Sequence, residues 1–376
     1  MSVIVKAVAN KKDLTTFVEF ANKLYKGNPY YIPTLAADDK DLFTPGKNAA
    51  LEFCQNECYL AYKDNKVVGR VAAIINPVAN QKFNTNTVRF GWFDFIDDRE
   101  VSKALLDAVI KWGKARGCDY IEGPFGFADM DPEGMLVEGF DKLGTMITFY
   151  NHPYYMKHME DMGYVKKADW LEYKVNIPEE IPEKYDRVAK LVMEKNNLRV
   201  RRYKRSEIAK CRVGEMFFDL VNEAYSNLYG VTPLTDNQIK QYTAMYLRIM
   251  DLDLVTFVVD ENDELVAFGA TIPSMSRALQ KSGGHYFPFG WFHLLKTMIF
   301  KDTDTVDFLL VAVRNKYKGK GLPAILFHDL APKFKKYGFK YAETNPELED
   351  NVGVRNLWNS IDRELTKRRR VWGKSI

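Results

Sequence analysis

One stretch of this 376-residue chain, TVDFLLVAVRNKYKGKGL at 305–322, restricts its fold more than any other. Val306, Phe308, Leu309, Leu310, Val311 and Val313 make 305–313 read as a buried strand, with Asp307 as its only charge. Lys316-Tyr317-Lys318-Gly319-Lys320-Gly321 follows as a short basic loop with two glycines. Residues 322–336 then repeat apolar side chains at helical spacing. A strand, a basic glycine loop and a helix start, in that order, build an anion site. Backbone N–H groups without helical partners and the positive end of the helix dipole converge there.

The same order of elements occurs twice. In the first half, a helix near 14–25 precedes strands at 58–63 and 67–75, joined by an Asp64-Asn65 turn. Strand 89–95, helix 101–116 and strand 120–123 follow. In the second half, a long helical region near 206–228 precedes strands 254–260 and 265–272, then strand 306–313, helix 322–336 and strand 341–344. This pattern predicts an α/β fold with a mixed sheet and helices on both faces. Two diverged copies of one domain are the economical explanation. The segment 176–183, with two prolines and three glutamates, reads as the boundary, giving domains 1–178 and 179–376.

Composition narrows the function. With 54 basic and 50 acidic residues the chain is nearly neutral, which does not suggest a nucleic-acid binder. The run Lys367-Arg368-Arg369-Arg370 reads as a solvated terminal segment. The N-terminus is polar, no apolar run reaches ~18 residues, and four cysteines are scattered. These features predict no membrane span and a reducing, cytoplasmic setting. Cys54 and Cys58 lack a second ligand pair at zinc spacing, so no metal site is expected. An aromatic insertion at 285–300, HYFPFGWFHLLKTMIF, reads foremost as a packed inter-domain helix; covering a pocket and touching a membrane are the alternatives.

The second half resembles the GNAT superfamily of acyl-CoA-dependent N-acyltransferases, and the whole chain resembles two such domains in tandem. In that family the loop after the fourth strand reads Gln/Arg-x-x-Gly-x-Gly/Ala and holds the coenzyme A pyrophosphate; here Lys316 stands first, followed by Gly319 and Gly321. The resemblance implies that Lys316, Lys318, Gly319, Lys320 and Gly321 hold the diphosphate. It also implies that Asn351 approaches the cofactor arm and that backbone N–H groups near Val311 and Val313 hold the thioester carbonyl. Ala342-Glu343-Thr344-Asn345 ends the next strand, which makes Glu343 the candidate base; Tyr225 and Tyr229 lie in the helical region expected to line the acceptor side. Many family members carry an acidic tyrosine where this chain has Trp358. An indole N–H donates a hydrogen bond but cannot act as a proton-transfer acid at neutral pH.

In the first half, Asn151-His152-Pro153-Tyr154-Tyr155 resembles the family's asparagine helix, but Ile96-Asp97-Asp98-Arg99-Glu100 stands where its glycine loop should be. Acids facing a diphosphate repel it, so this copy is expected to be degenerate. The segment 123–134, GPFGFADMDPEG, resembles one found in a bacterial group of tandem GNAT-like proteins. Its Asp129, Asp131 and Glu133 lack calcium-loop spacing and read as a turn whose acids face solvent or recognise an amine. The resemblance implies acetyl transfer from acetyl-CoA, or another acyl-CoA, to a small-molecule amine. A non-catalytic coenzyme A or small-ligand binder and an aminoacyl-type transferase are the alternatives.

Overall fold

A computed structural model describes residues 2–180, 183–351 and 362–376. Asn356 to Ser360, and with them Trp358, lie outside the described residues. The chain packs as two units. Unit 1 takes in 1–171 together with two later segments, Ser276–Leu294 and Thr366–Ile376; unit 2 is Glu172–Met275 with Leu295–Leu365.

The strands are β1 (Ile4–Ala7), β2 (Gln55–Lys63), β3 (Lys66–Ile75), β4 (Thr87–Phe95), β5 (Tyr120–Gly123), β6 (Met135–Glu138), β7 (Val165–Asn176), β8 (Arg199–Arg201), β9 (Val255–Val259), β10 (Leu265–Pro273), β11 (Thr305–Val313), β12 (Tyr341–Glu343), β13 (Glu347–Leu348) and β14 (Arg363–Ser375). The helices are α1 (Lys11–Leu24), α2 (Ala36–Leu42), α3 (Pro77–Phe83), α4 (Arg99–Lys114), α5 (Tyr154–Asp161), α6 (Glu183–Asn196), α7 (Arg205–Lys210), α8 (Val213–Ala224), α9 (Asp236–Ile249), α10 (Ser276–Ser282), α11 (Gly290–Phe300) and α12 (Pro323–Lys336).

In unit 1 the strands β1 to β4 pair antiparallel in chain order, and β5 lies parallel to β4. Helix α4 covers one face through Val101, Leu105 and Val109, all fully buried. Helix α1 covers the other through Phe17 and Val18, against Trp92 and Phe127. Unit 2 repeats the scheme: β9, β10 and β11 are antiparallel, β12 is parallel to β11, and α12 with α6 packs Ile325, Leu326 and Ala189 on Val258 and Val266. Phe217 of α8 stacks on Phe268 at 3.7 Å between ring centroids. The parallel registers match residue for residue: Thr87, Val88 and Arg89 face Tyr120, Ile121 and Glu122, while Thr305, Val306 and Asp307 face Tyr341, Ala342 and Glu343.

Two segments depart from their sequence reading. The basic run at 367–370 is not solvated: it lies inside the 13-residue β14, where Lys367 and Arg369 are almost fully buried. Arg369 donates to Phe149 O, while Arg368 and Arg370 meet Asp169. Its carboxylate accepts from Arg370 at 2.8 and 3.0 Å and from Arg368 at 3.1 Å. Burial pushes that carboxyl up, but the bonds from Arg370, Lys166 and Arg368 outweigh it and hold it below the usual range. Trp372 to Ser375 then pair antiparallel with β5, so the end of the chain completes the unit built by its beginning.

The aromatic insertion is divided, 285–294 falling in unit 1 together with α10 and 295–300 in unit 2. Gln280 donates to the Pro29 and Tyr31 carbonyls at 2.8 and 3.0 Å, and Ala36 N donates to Gly284 O at 3.0 Å. Helix α11 is not packed all round: Leu294 and Thr297 are buried, whereas Trp291, Phe292, Leu295 and Ile299 are exposed.

Candidate functional site

The site grows out of β11. Its parallel pairing with β12 covers Thr305 to Asp307; beyond that point, among the described residues, its ladder partner is β10. Arg314 N donates to Val266 O on β10, so strand alternation turns Val313, Val311 and Leu309 the other way. Two contacts agree with this. Leu309 O accepts from Asn345 Nδ2, and Val311 O accepts from the Tyr225 hydroxyl at 2.9 Å. The N–H groups of Val311 and Val313 therefore face the open edge.

The loop follows immediately. Asn315–Tyr317 makes one 3-10 turn, and Gly319 and Gly321 take φ values of +76° and +83°, the left-handed region that glycine occupies without penalty. Helix α12 begins with Pro323, and no side chain caps its N-terminus. Among the described residues, nothing accepts a hydrogen bond from the N–H groups of Gly319, Gly321 or Leu322. A Cβ at Gly319 would meet no atom within 4 Å, so the turn is open on that side. Lys316, Lys318 and Lys320 are exposed, and the ammonium groups of Lys316 and Lys320 both lie 5.0 Å from the Tyr317 ring centroid. A diphosphate fits this donor set: unpaired N–H groups, a helix N-terminus and three cations around a gap.

Sequence reading missed Glu223, which fastens the loop from α8. Its carboxylate accepts from Arg314 Nη1 at 2.7 Å and from Asn315 N at 2.8 Å. Burial alone raises this carboxyl, but the Asn315 N–H and the Arg314 guanidinium outweigh it and hold it below the usual glutamate range. No local signal marks Glu223, because its partners lie 91 and 92 positions away. Asp307 was legible as the lone acid of an apolar strand. It is buried, and its register partner is Glu343, half-buried at the end of β12. Glu343 is also in register with Lys174 of β7.

Tyr225 sits at the C-cap of α8, so the structure brings it to β11, whereas Tyr229 lies half-buried in the following turn. Asn351 is the last residue described before the gap, its N–H donating to Leu348 O at 2.9 Å. His328 faces Asp186 on α6, with Nδ1 and Oδ1 2.6 Å apart.

The matching edge of unit 1 is closed. Phe95 N donates to the Tyr155 hydroxyl at 2.9 Å, and Phe95 O accepts from Tyr154 at 2.5 Å. Tyr155 also shares a 2.8 Å bond with Tyr25, which donates to Asp94 at 2.7 Å, and Asp94 accepts from the buried Arg70 at 2.7 Å. Asp98 caps α4 itself by accepting from Glu100 N at 2.9 Å, and it pairs with Lys63 at 2.6 Å. Asn151 exchanges two bonds with the backbone of Leu136, at 2.6 and 2.9 Å. Asp131 accepts from the N–H groups of Phe127 and Ala128, tying its turn together, and the acids there are half-buried rather than solvent-facing.

This architecture, two strand–loop–helix copies with the fourth strand opening from the fifth in unit 2, is the tandem GNAT fold. The chain superimposes on a tandem GNAT protein from the clavulanic acid biosynthesis pathway with a TM-score of 0.57 and 9% identity, covering 100% of this chain and 98% of that one. In sequence it is similar to Protein YghO of Escherichia coli (strain K12), 26% identical over 99% of this chain and 95% of the relative. It is also similar to the bacterial ceramide synthase of Caulobacter vibrioides, 25% identical over 98% and 96%. No protein-family model matches the chain.

Proposed function

We propose that the chain is an N-acyltransferase that moves an acyl group from acyl-CoA, acetyl-CoA included, to the amino group of a long-chain amine in the cytoplasm. The observation that carries the reading is the open, uncapped turn at Gly319, Gly321 and Leu322 beside the free edge of β11. The copy within 179–376 takes the coenzyme, and the copy within 1–178 serves as a degenerate partner. The acceptor class is supported by full-length similarity to a ceramide synthase, since a ceramide is the amide of a long-chain amino alcohol.

Acyl-CoA supplies an activated thioester. Lys316, Lys318, Lys320 and the loop N–H groups hold its diphosphate, and the edge N–H groups of Val311 and Val313 polarise the carbonyl. Glu343 receives the proton of the attacking amine, directly or through water. The amine nitrogen bonds to the carbonyl carbon as the C–S bond breaks and coenzyme A leaves as its thiolate, while Tyr225, whose hydroxyl donates to Val311 O, orients the edge.

The test is thiol release on mixing acetyl-CoA through palmitoyl-CoA with a panel of short and long-chain amines. Glu343→Gln is expected to lower kcat by about 10²–10⁴-fold while leaving coenzyme affinity intact. Coenzyme binding without turnover on any amine would sink the enzymatic reading and leave a ligand-binding protein.

A further inference from the structure

The exposed face of 285–300 takes no part in the site described above. Phe287 is 80% exposed and Phe289 70%, at the tip of a loop leading into α11. Trp291, Phe292, Leu295 and Ile299 recur at spacings of three and four residues, so they form one apolar stripe along the helix, with Phe300 74% exposed at its end. The opposite side anchors the helix through Leu294 and Thr297. Single exposed apolar residues are ordinary, but seven large ones within fourteen positions are not.

We propose that this segment docks the protein on an anionic lipid–water interface. Charge and composition on the page favour that occupant. From Ser276 to Lys301 the chain has four basic residues (Arg277, Lys281, Lys296, Lys301) and no acid. Lys296 and Lys301 are paired with Asp302 and Asp251, while Arg277 and Lys281 are exposed and in no salt bridge among the described residues. Tyr286 turns its hydroxyl to Asp38 at 2.9 Å, which ties the loop to unit 1 and leaves Phe287 and Phe289 projecting. Trp, Tyr, His and Lys flanking an apolar stripe is the composition that settles at headgroup depth. The 11-residue α11 measures about 16 Å, half of a hydrocarbon core, so it lies along the surface rather than across it. Among the described residues no helix is long and apolar enough to cross a membrane.

The purpose of this docking rests on the proposed long-chain acceptor, since such an amine dissolves in bilayers and must be collected from one. The docking itself is measured without substrate, so the two readings fail separately. The whole protein is sedimented with vesicles of phosphatidylcholine alone and of phosphatidylcholine mixed equally with phosphatidylglycerol. We expect binding to the mixed vesicles, a blue shift of tryptophan emission, and loss of about tenfold or more in partitioning for the double variant Phe287→Ser and Phe289→Ser. Lys281→Glu is expected to weaken binding to the mixed vesicles alone. Thiol release with a water-soluble short-chain amine should be the same for parent and variants. Sedimentation with neither vesicle, or equal partitioning of parent and double variant, would overturn the proposal. So would light scattering in which the double variant halves the mass of the parent, because a second copy would then be the occupant. Vesicle binding without thiol release would support docking while removing the acyl-transfer reading.

Discussion

Strands β4 and β11 are one strand built twice, and they end in opposite ways. Each starts Thr-Val-x-Phe in the same register with its parallel neighbour. At the far end, β11 opens onto a glycine turn in which the N–H groups of Gly319, Gly321 and Leu322 have no internal partner among the described residues, and no side chain caps the helix that follows. At the far end of β4, Tyr155 takes the Phe95 N–H and Asp98 takes the helix N-terminus. The comparison teaches that a fold does not lose an anion site by losing its shape. It loses the site when its own side chains take the donors first. Charge has reversed as well, with Arg89 and Asp307 at equivalent register positions.

The largest test of this contrast is Gly319→Glu against Asp98→Ala. The glutamate adds a side chain at positive φ and a negative charge at the turn, so acetyl-CoA affinity by calorimetry should fall roughly a hundredfold, equivalent to about 2.7 kcal/mol. Asp98→Ala should leave that affinity unchanged and cost about 1 kcal/mol of stability as a lost helix cap. Any change of affinity in the second variant would break the comparison. Tyr155→Phe comes next. It leaves the Phe95 N–H without a partner and removes one of the two bonds of the Tyr25 hydroxyl, and should cost about 1–3 kcal/mol in urea unfolding with coenzyme affinity intact.

A smaller effect is expected from replacing Lys316, Lys318 and Lys320 together by alanine: about tenfold weaker binding, with a shallower dependence on salt. The smallest concerns Asp129. Burial lifts its carboxyl to about 6 against lowering by Arg89. An acid whose folded value exceeds its unfolded one is destabilising when ionised, so stability is lost as pH rises through 6. Asp129→Asn should therefore raise Tm at pH 7.5, and the gain should shrink as pH falls below 6 and vanish only below the ordinary aspartate value of about 3.9. A gain independent of pH would show that the carboxylate is not what strains this turn.

Much of the fold was legible because its strongest signals are local. The 305–313 strand, the 120–123 strand and the Asp64-Asn65 turn are each written in a few neighbouring residues. The helical region at 206–228 proved to be two helices, broken where Arg212 takes a φ of +52°. Helix α9 passed unread, its apolar positions interrupted by Gln238, Lys240 and Gln241. The basic terminal run misled because a lysine–arginine block reads as solvated until Asp169, some 200 positions earlier, is placed beside it. At the site, the loop was visible while its Glu223 clasp and the Tyr155 plug of the other copy were not. Each depends on pairing across the chain rather than on a motif.

The return of Thr366–Ile376 to unit 1 has a consequence for how the molecule is made. Unit 1 is started by residues 1–171 but receives a strand of its sheet only from residues some two hundred positions later. At about 5–20 residues per second, a ribosome leaves that edge of β5 unpaired for roughly 10–40 s. During this interval the nascent first copy exposes a strand edge that any other chain can occupy, so its yield in the cell depends on translation speed and on chaperones that hold the edge until its own strand arrives.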